Sequence, residues 1–538
     1  MGHARILDCT LRDGGYLLDK CFGEDNIHGI VNGLVNTGID IIEIGFLQNE
    51  GFGDGKTVFL NSTEAEKYIP MNKGESIFTA FADYSRYDIS NLDEYTGKSF
   101  QAVRECFFKN ECKGAIEYCK QIKKKGYLCF VQPVDILGYN DKELIELIEQ
   151  INIVEPYCFS IVDTFGSMYE DDLQRIFSII HHNLSPKCKI GFHSHNNLQM
   201  SSALAQSFLK LSYGKREVIV DATISGMGRG AGNAPTELIA QYMVDKMGYL
   251  YNMDALLDVI DHYMRNIRSQ VEWGYNTYFY IAGAYSTHVN NIAYLTKKNS
   301  IKSKDIRYIL NELDEDTRKR YDYEKLESTY LKYMQTNIDD TLDFNRLKDE
   351  LSGRKVVLLA AGRSIVEEQS KILKYIEENH AKVISINYPH ENIPNDFIYI
   401  SNIKRFQSFD KKKCKAPVIY TSNVKTQGKN NEYVISFMRL IKCGWENSDN
   451  STILLLRLLN ELNVSKIGIA GFDGYDYANN YAEKVHEYNL SAQEARFINK
   501  ELEEMLNDFL NNKNNQLSVE MITKSKLSLG RDINGYES

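Results

Sequence analysis

Three short segments of this 538-residue chain carry residue types that suit a divalent-metal site. They are Thr10-Leu11-Arg12-Asp13-Gly14-Gly15, His193-Ser194-His195-Asn196-Asn197, and a glycine-rich run, Gly226-Met227-Gly228-Arg229-Gly230-Ala231-Gly232-Asn233-Ala234-Pro235. The histidine spacing is the sharpest clue. Side chains i and i+2 of a strand share a face, so His193 and His195 would aim both imidazoles into one cavity. Asp13 would add a carboxylate. Two nitrogens and one carboxylate, with positions left open, suit a Lewis-acid metal that keeps room for a substrate. Mn²⁺ or Mg²⁺ fits such a mixed ligand set, and Zn²⁺ is compatible with it. An HxH pair alone is often just two polar residues at a strand end. The two accompanying segments give this one its meaning.

The first half of the chain repeats a short apolar run, a turn and an amphipathic stretch. The runs at 6–10, 41–46, 77–82, 102–107, 128–134, 158–163, 189–193 and 218–223 read as eight strands. Apolar residues at three- and four-residue spacing in 141–151 and 168–181 read as helices. Eight βα units, each strand followed by a helix, predict a (β/α)8 TIM barrel over residues 1–250. The polar residues gather towards the strand ends: Arg12, Asp13, Glu43, Gln132, Asp163, His193 and His195. The C-terminal face is where such a barrel builds its active site. Residues 251–350 read as a helical, tyrosine-rich extension packed on the barrel. A second α/β unit is expected over 351–538, with strands at 355–360, 383–387, 397–401, 418–421 and 466–471, helices at 365–379 and 491–512, and a loose tail from Leu527. A doubly wound, Rossmann-like open sheet fits that order.

Composition narrows the class. Hydrophobic residues make up 43% and charged residues 25%, as in soluble globular proteins. A net charge of -10 argues against a nucleic-acid partner. The ten cysteines are scattered without a CxxC pair, which suits a reducing cytoplasm. No signal-peptide pattern and no membrane-length apolar run is present, so a cytoplasmic location without membrane contact is expected. A homo-oligomer is expected as well.

Residues 1 to about 290 resemble the DRE-TIM metallolyases, a family that includes hydroxymethylglutaryl-CoA lyase, isopropylmalate and homocitrate synthases, and 4-hydroxy-2-oxovalerate aldolase. The resemblance to the last is the strongest. It is carried by LDCTLRDGG, GFHSHNNLQMSSALA, DATISGMGRGAGNAPTELI and Ala282-Gly283-Ala284-Tyr285-Ser286, in order along the chain. It implies a metal-dependent aldolase acting on a 2-oxo acid and an aldehyde through a pyruvate-type enolate. On that reading Asp13, His193 and His195 bind the metal, and Asn233 offers a further oxygen. Arg12 sets a fixed positive charge beside the developing oxyanion. Thr164, His193 and Tyr285 contact substrate, and Glu43 orients Arg12 or a metal water.

One position departs from the family. The bacterial aldolases place a histidine, their proton acceptor, three residues after the Asp of RDG; here that place is Tyr16. A phenol of ordinary pKa, about 10, is a poor base at neutral pH. Either Tyr16 works through a metal-activated water, or another group such as His288 supplies the base, or the substrate differs. In the second unit, Gly362, Arg363 and Ser364 follow a strand and open a helix, and Asp473 lies in another loop after a strand. Together they faintly resemble the nucleotide-binding part of sialyltransferase-like and pterin-pyrophosphokinase-like domains, which implies a nucleotide or phosphosugar ligand. A scaffold without ligand is the other reading. For the barrel, the competing readings are an acetyl-CoA-dependent Claisen synthase of the citramalate or isopropylmalate type, and a non-catalytic scaffold.

Overall fold

The computed structural model describes residues 4–298, 301–334, 338–390, 392–411, 414–429, 431–442, 444–482, 490–514 and 516–528. Cys443 and the tail from residue 529 on lie outside the described residues. The chain forms two compact units, Met1–Ile292 and Ala293–Ser538.

The first unit is a closed barrel of eight parallel strands. These are β1 (Ala4–Asp8), β2 (Ile41–Leu47), β3 (Ile77–Asp83), β4 (Ala102–Phe107), β5 (Leu128–Pro133), β6 (Cys158–Asp163), β7 (Lys189–Ser194) and β8 (Val218–Ala222). Each pairs with the next, and β8 returns to β1. Every residue of β2, β4, β6 and β8 is buried, as expected of strands covered on both faces. Full helices follow most strands: α1 (Glu24–Thr37), α2 (Cys112–Lys124), α3 (Asp141–Val154), α4 (Glu170–Asn183), α5 (Ser201–Ser212) and α6 (Thr236–Met247). The expected helix after every strand does not hold throughout. β2 is followed by the two-residue strand Val58–Phe59, which pairs beside it, and then by no more helix than Ser62–Ala65 and the short turn Glu66–Tyr68; β3 is followed only by the turn Ile89–Asn91. The segments behind those strands are rich in glycine and polar residues and carry no sustained amphipathic stripe.

The barrel interior is layered by strand periodicity. One layer is apolar, with Leu7, Ile41, Ala102, Phe130, Cys158 and Ile219 packed together. Two residues further along, the same faces carry Glu43, Arg104, Gln132, Ser160 and Asp221, all buried. A plug of hydrocarbon thus underlies a polar floor.

The second unit holds a seven-stranded parallel sheet in the order β13-β12-β11-β10-β9-β14-β15. Its strands are β9 (Lys355–Leu359), β10 (Lys382–Ile386), β11 (Phe397–Ile400), β12 (Val418–Thr421), β13 (Glu432–Ile435), β14 (Lys466–Ala470) and β15 (Ser518–Met521). β13 and β15 extend the sheet beyond the strands expected from sequence. The helical region from 293 to 351 belongs to this unit, not to the barrel on which the sequence reading packs it. Its last helix, α7 (Thr341–Leu351), shows why: the edge-strand N–H of Val434 donates to Asp343 (2.9 Å), and Arg439 pairs with Asp340 at 2.8 Å. Covering an edge in this way keeps its backbone groups satisfied. Among the described residues, no helix is long and apolar enough to cross a membrane.

Candidate metal centre

β1 ends in a sharp corner. The Asp8 carboxylate accepts the Thr10 N–H (3.0 Å) and the Thr236 hydroxyl (2.6 Å), and the Thr10 hydroxyl accepts the Ile224 N–H (2.8 Å). These bonds tie the strand-1 loop to the glycine-rich loop and turn Arg12 and Asp13 into the barrel mouth. The glycine loop must approach closely. A Cβ on Gly232, whose φ is +86°, would lie 1.9 Å from the Gly226 carbonyl oxygen, and one on Gly228 would lie 2.3 Å from Asn233 Nδ2. From the other side, Asn196 N–H donates to the Gly232 carbonyl (2.7 Å), and Ala231 N–H donates to Asn197 Oδ1 (2.9 Å). His195 and Asn233 face each other in a backbone bridge. The three segments separated in sequence are therefore one locked structure.

Asp13, His193, His195 and Asn233 converge. Asp13 Oδ2 lies 3.5 Å from His193 Nε2 and 3.9 Å from His195 Nε2, and it accepts from Asn233 Nδ2 at 2.9 Å. Asp13 Oδ1 and Asn233 Oδ1 are buried without a hydrogen-bond partner. Two orphaned acceptor oxygens beside two imidazoles form a donor set of the kind a hard cation fills. Burial pushes the His195 pKa down to about 4 against the opposing pull of Asp13, so the ring is neutral and carries a lone pair. Burial alone would raise the Asp13 pKa, but Arg12 and the two histidines outweigh it and hold the carboxyl well below its ordinary range. Cys9 Sγ also lies in this cluster. Burial raises its pKa far above the thiol range, and its S–H faces the Ala222 carbonyl at 3.4 Å, so it remains a protonated thiol.

A charged floor supports the cluster. His193 Nδ1 meets Asp221 Oδ2 at 3.0 Å, which fixes the proton on Nδ1 and turns Nε2 towards Asp13. Arg104 joins Asp221 to Glu43, the latter at 2.9 Å. Arg12 Nε donates to Glu43 at 2.8 Å, its Nη1 lies 3.4 Å from Asp13, and its guanidinium stacks over Phe81 at 4.6 Å. Three buried carboxylates, Asp13, Glu43 and Asp221, face two buried guanidiniums, leaving one net negative charge. Uncompensated buried charge is costly, so this site favours a cation. Glu43 orients Arg12, as expected. Arg104 and Asp221 were not anticipated, although strand parity points to both. Each lies two residues past an apolar interior position, where the interior turns polar.

The remaining expected residues lie around this cluster. Tyr16 follows in the turn Gly14–Leu17, with its ring edge-on to Phe46 and beneath the Arg229 guanidinium at 4.3 Å. The residue as a whole is exposed, but the crowding around its hydroxyl strips solvent from it and raises the phenol pKa above 10 despite nearby Arg229 and Arg12. Arg229, also unforeseen, has its Nη1 3.4 Å from His288 Nε2, and His288 Nδ1 accepts the Asn290 N–H at 3.2 Å. Burial, then Arg229, lowers the His288 pKa to about 4. Tyr285 caps α8 (Thr277–Ala284), whose Gly283 sits so close to the β6 and β7 loops that a Cβ there would lie 3.0 Å from Gly166 O and Asn197 Cβ. Thr164 Oγ1 accepts the Asp135 N–H at 2.8 Å, so it braces a neighbouring loop.

A family model, HMGL-like, matches residues 3–262. The 4-hydroxy-2-oxovalerate aldolase of Thermomicrobium roseum is 28% identical over 316 residues, spanning 54% of this chain and 82% of that protein. The same-named protein of Moorella thermoacetica is 25% identical over 327 residues, spanning 56% of this chain and 89% of that protein. Among solved structures, an HMG-CoA lyase of Bacillus subtilis is 17% identical with a TM-score of 0.41, covering 51% of this chain and 95% of that one. Residues 3–262, which contain every member of the cluster and its charged floor, are an HMGL-like domain.

Proposed function

We propose that the barrel is a divalent-metal-dependent aldolase that breaks or forms the C–C bond of a 4-hydroxy-2-oxo acid. The observation that carries this reading is the convergence of Asp13, His193, His195 and Asn233 around two orphaned oxygens. A Mn²⁺ or Mg²⁺ held there would act as a Lewis acid towards the 2-oxo acid. Arg12 supplies the complementary charge. When the C3–C4 bond breaks, its electron pair ends on the keto oxygen of the pyruvate enolate, and a guanidinium anchored by Glu43 need not reorganise to meet it. The aldehyde forms as the C4 hydroxyl loses its proton. Tyr16 keeps its own proton at neutral pH and serves as a hydrogen-bond donor. His288, held unprotonated next to Arg229, supplies the base in this reading once its ring turns from Arg229 to the substrate. Its low basicity predicts slower turnover than a histidine of ordinary pKa would give. Thr164 and Tyr285 contact the substrate carboxylate.

The test uses the full-length chain stripped of metal and reloaded with Mn²⁺. Deuterium exchange into the methyl group of pyruvate, and product formation with a panel of aldehydes, should both depend on the ion. Thiol release from acetyl-CoA with 2-oxo acids, without pyruvate exchange, would replace this reading with the Claisen synthase. Absence of both activities would favour the scaffold.

A further inference from the structure

In the second unit, β9 has β10 to β13 on one side and β14 and β15 on the other. The direction of strand addition reverses there, and parallel sheets open a ligand crevice beyond the strand ends at such a point. A cavity of about 460 Å³ occupies that place, within the range of small-molecule sites.

The cavity revises the sequence expectation. Gly362 and Asp473 line it, but Arg363 and Ser364 do not. Asp473 accepts both the N–H (2.8 Å) and the hydroxyl of Ser364. The place a phosphate would take at that turn is thus filled by the protein's own carboxylate, which would repel a second anion. Arg363 turns outward to Glu367 at 3.1 Å. The cations in the wall are instead Lys404 and Arg405, after β11; Asn450 and Ser451 line it at the start of α9 (Ser451–Glu461), together with one carboxylate, Asp449. The helix dipole adds partial positive charge at that end, and Ser451 accepts from the Ser401 hydroxyl at 2.8 Å, leaving its own O–H to donate. The wall also carries Asn387, with Oδ1 buried and without a partner. Phe472, Tyr475 and Tyr481 line it as well, the Arg405 guanidinium lying 5.8 Å from the Tyr481 ring centre.

We propose that this cavity binds a nucleoside phosphate, with its phosphate at Lys404 and Arg405 and its nucleoside between the tyrosines and Asn387. Guanidinium and ammonium groups suit the phosphate. Aromatic faces suit a base. The orphaned Asn387 oxygen calls for an N–H or O–H donor, which a base or ribose provides and inorganic phosphate in its bound orientation need not.

The test is isothermal titration of the full-length chain with nucleoside mono- and diphosphates, free nucleosides and inorganic phosphate. At least one nucleotide should bind about tenfold or more tightly than either of its parts, and the affinity should fall as salt is raised. Lys404→Ala with Arg405→Ala should weaken binding about tenfold or more, Asn387→Ala should level the preference among bases, and Arg363→Ala should bind like the unaltered chain. Nucleotides that bind no better than phosphate would overturn the proposal. So would binding that is insensitive to both salt and the Lys404/Arg405 replacement, or that is lost in Arg363→Ala.

Discussion

At the residue scale, Asp221 decides which nitrogen His193 presents. Its Oδ2 accepts from Nδ1 at 3.0 Å and leaves Nε2 for the cavity. Removing its charge should let the ring lose that tautomer and orientation. Asp221→Asn should therefore lower Mn²⁺ affinity about 10- to 100-fold by titration calorimetry, as for other carboxylates behind a ligating histidine. Unchanged affinity would show that Asp221 serves only Arg104. Arg12 belongs to a different step. Lysine cannot reach Glu43 and the oxyanion with one planar fork. Arg12→Lys should reduce kcat about a hundredfold, on the order of 3 kcal/mol, while metal content by mass spectrometry stays at the unaltered level. A rate near that of the unaltered chain would remove Arg12 from the chemistry.

At the element scale, the wall between β4 and α2 contains an unusual group. Glu105 points away from the barrel interior into the helix layer, where Cys119 Sγ lies 2.5 Å from Oε2 and Oε1 has no partner. Burial, then Cys119, raises its pKa well above 4.5, so the folded protein keeps this carboxyl protonated. The folded state then holds a proton that the unfolded chain releases. The stability from this group is complete below the ordinary carboxylate pKa and declines as pH rises from there through the folded pKa. Glu105→Gln removes that penalty. The Tm of the variant relative to the unaltered protein should rise steadily with pH above about 4.5. Parallel melting curves across that interval would mean that Glu105 ionises in place.

At the scale of the whole molecule, the contact boundary at Ile292 separates two units with their own parallel sheets and cores. Each is large enough to bury an independent core. A chain ending at Ile292 should fold and take up one divalent ion, and residues 293–538 should fold as a separate species. A chain ending near residue 350 would carry helices whose packing partners, such as Arg439 and Val434, are missing. Limited proteolysis distinguishes these outcomes: rapid digestion of 293–350 in the longer fragment is expected, and resistance there would place those helices elsewhere.

The linear chain determined a good deal by itself. Short continuous apolar runs located the eight barrel strands to within a few residues, because parallel strands covered on both faces are apolar along their length. Strand periodicity put His193 and His195 on one face with Asp13 as their carboxylate partner, and the family resemblance pointed to Arg12 and Asn233. Tertiary structure alone decided the rest. Arg104 and Asp221 acquire a role only when β4 and β8 meet across a closed ring 117 residues apart in sequence, since an ion pair depends on proximity that no local pattern encodes. β13 and β15 escaped notice because strands of four residues at or near a sheet edge carry little periodic signal. The turn at Gly362 resembled a phosphate cradle until folding laid Asp473 across it. Which side of the second cavity is left to attract an anion is thus set by a carboxylate that arrives from 109 residues away.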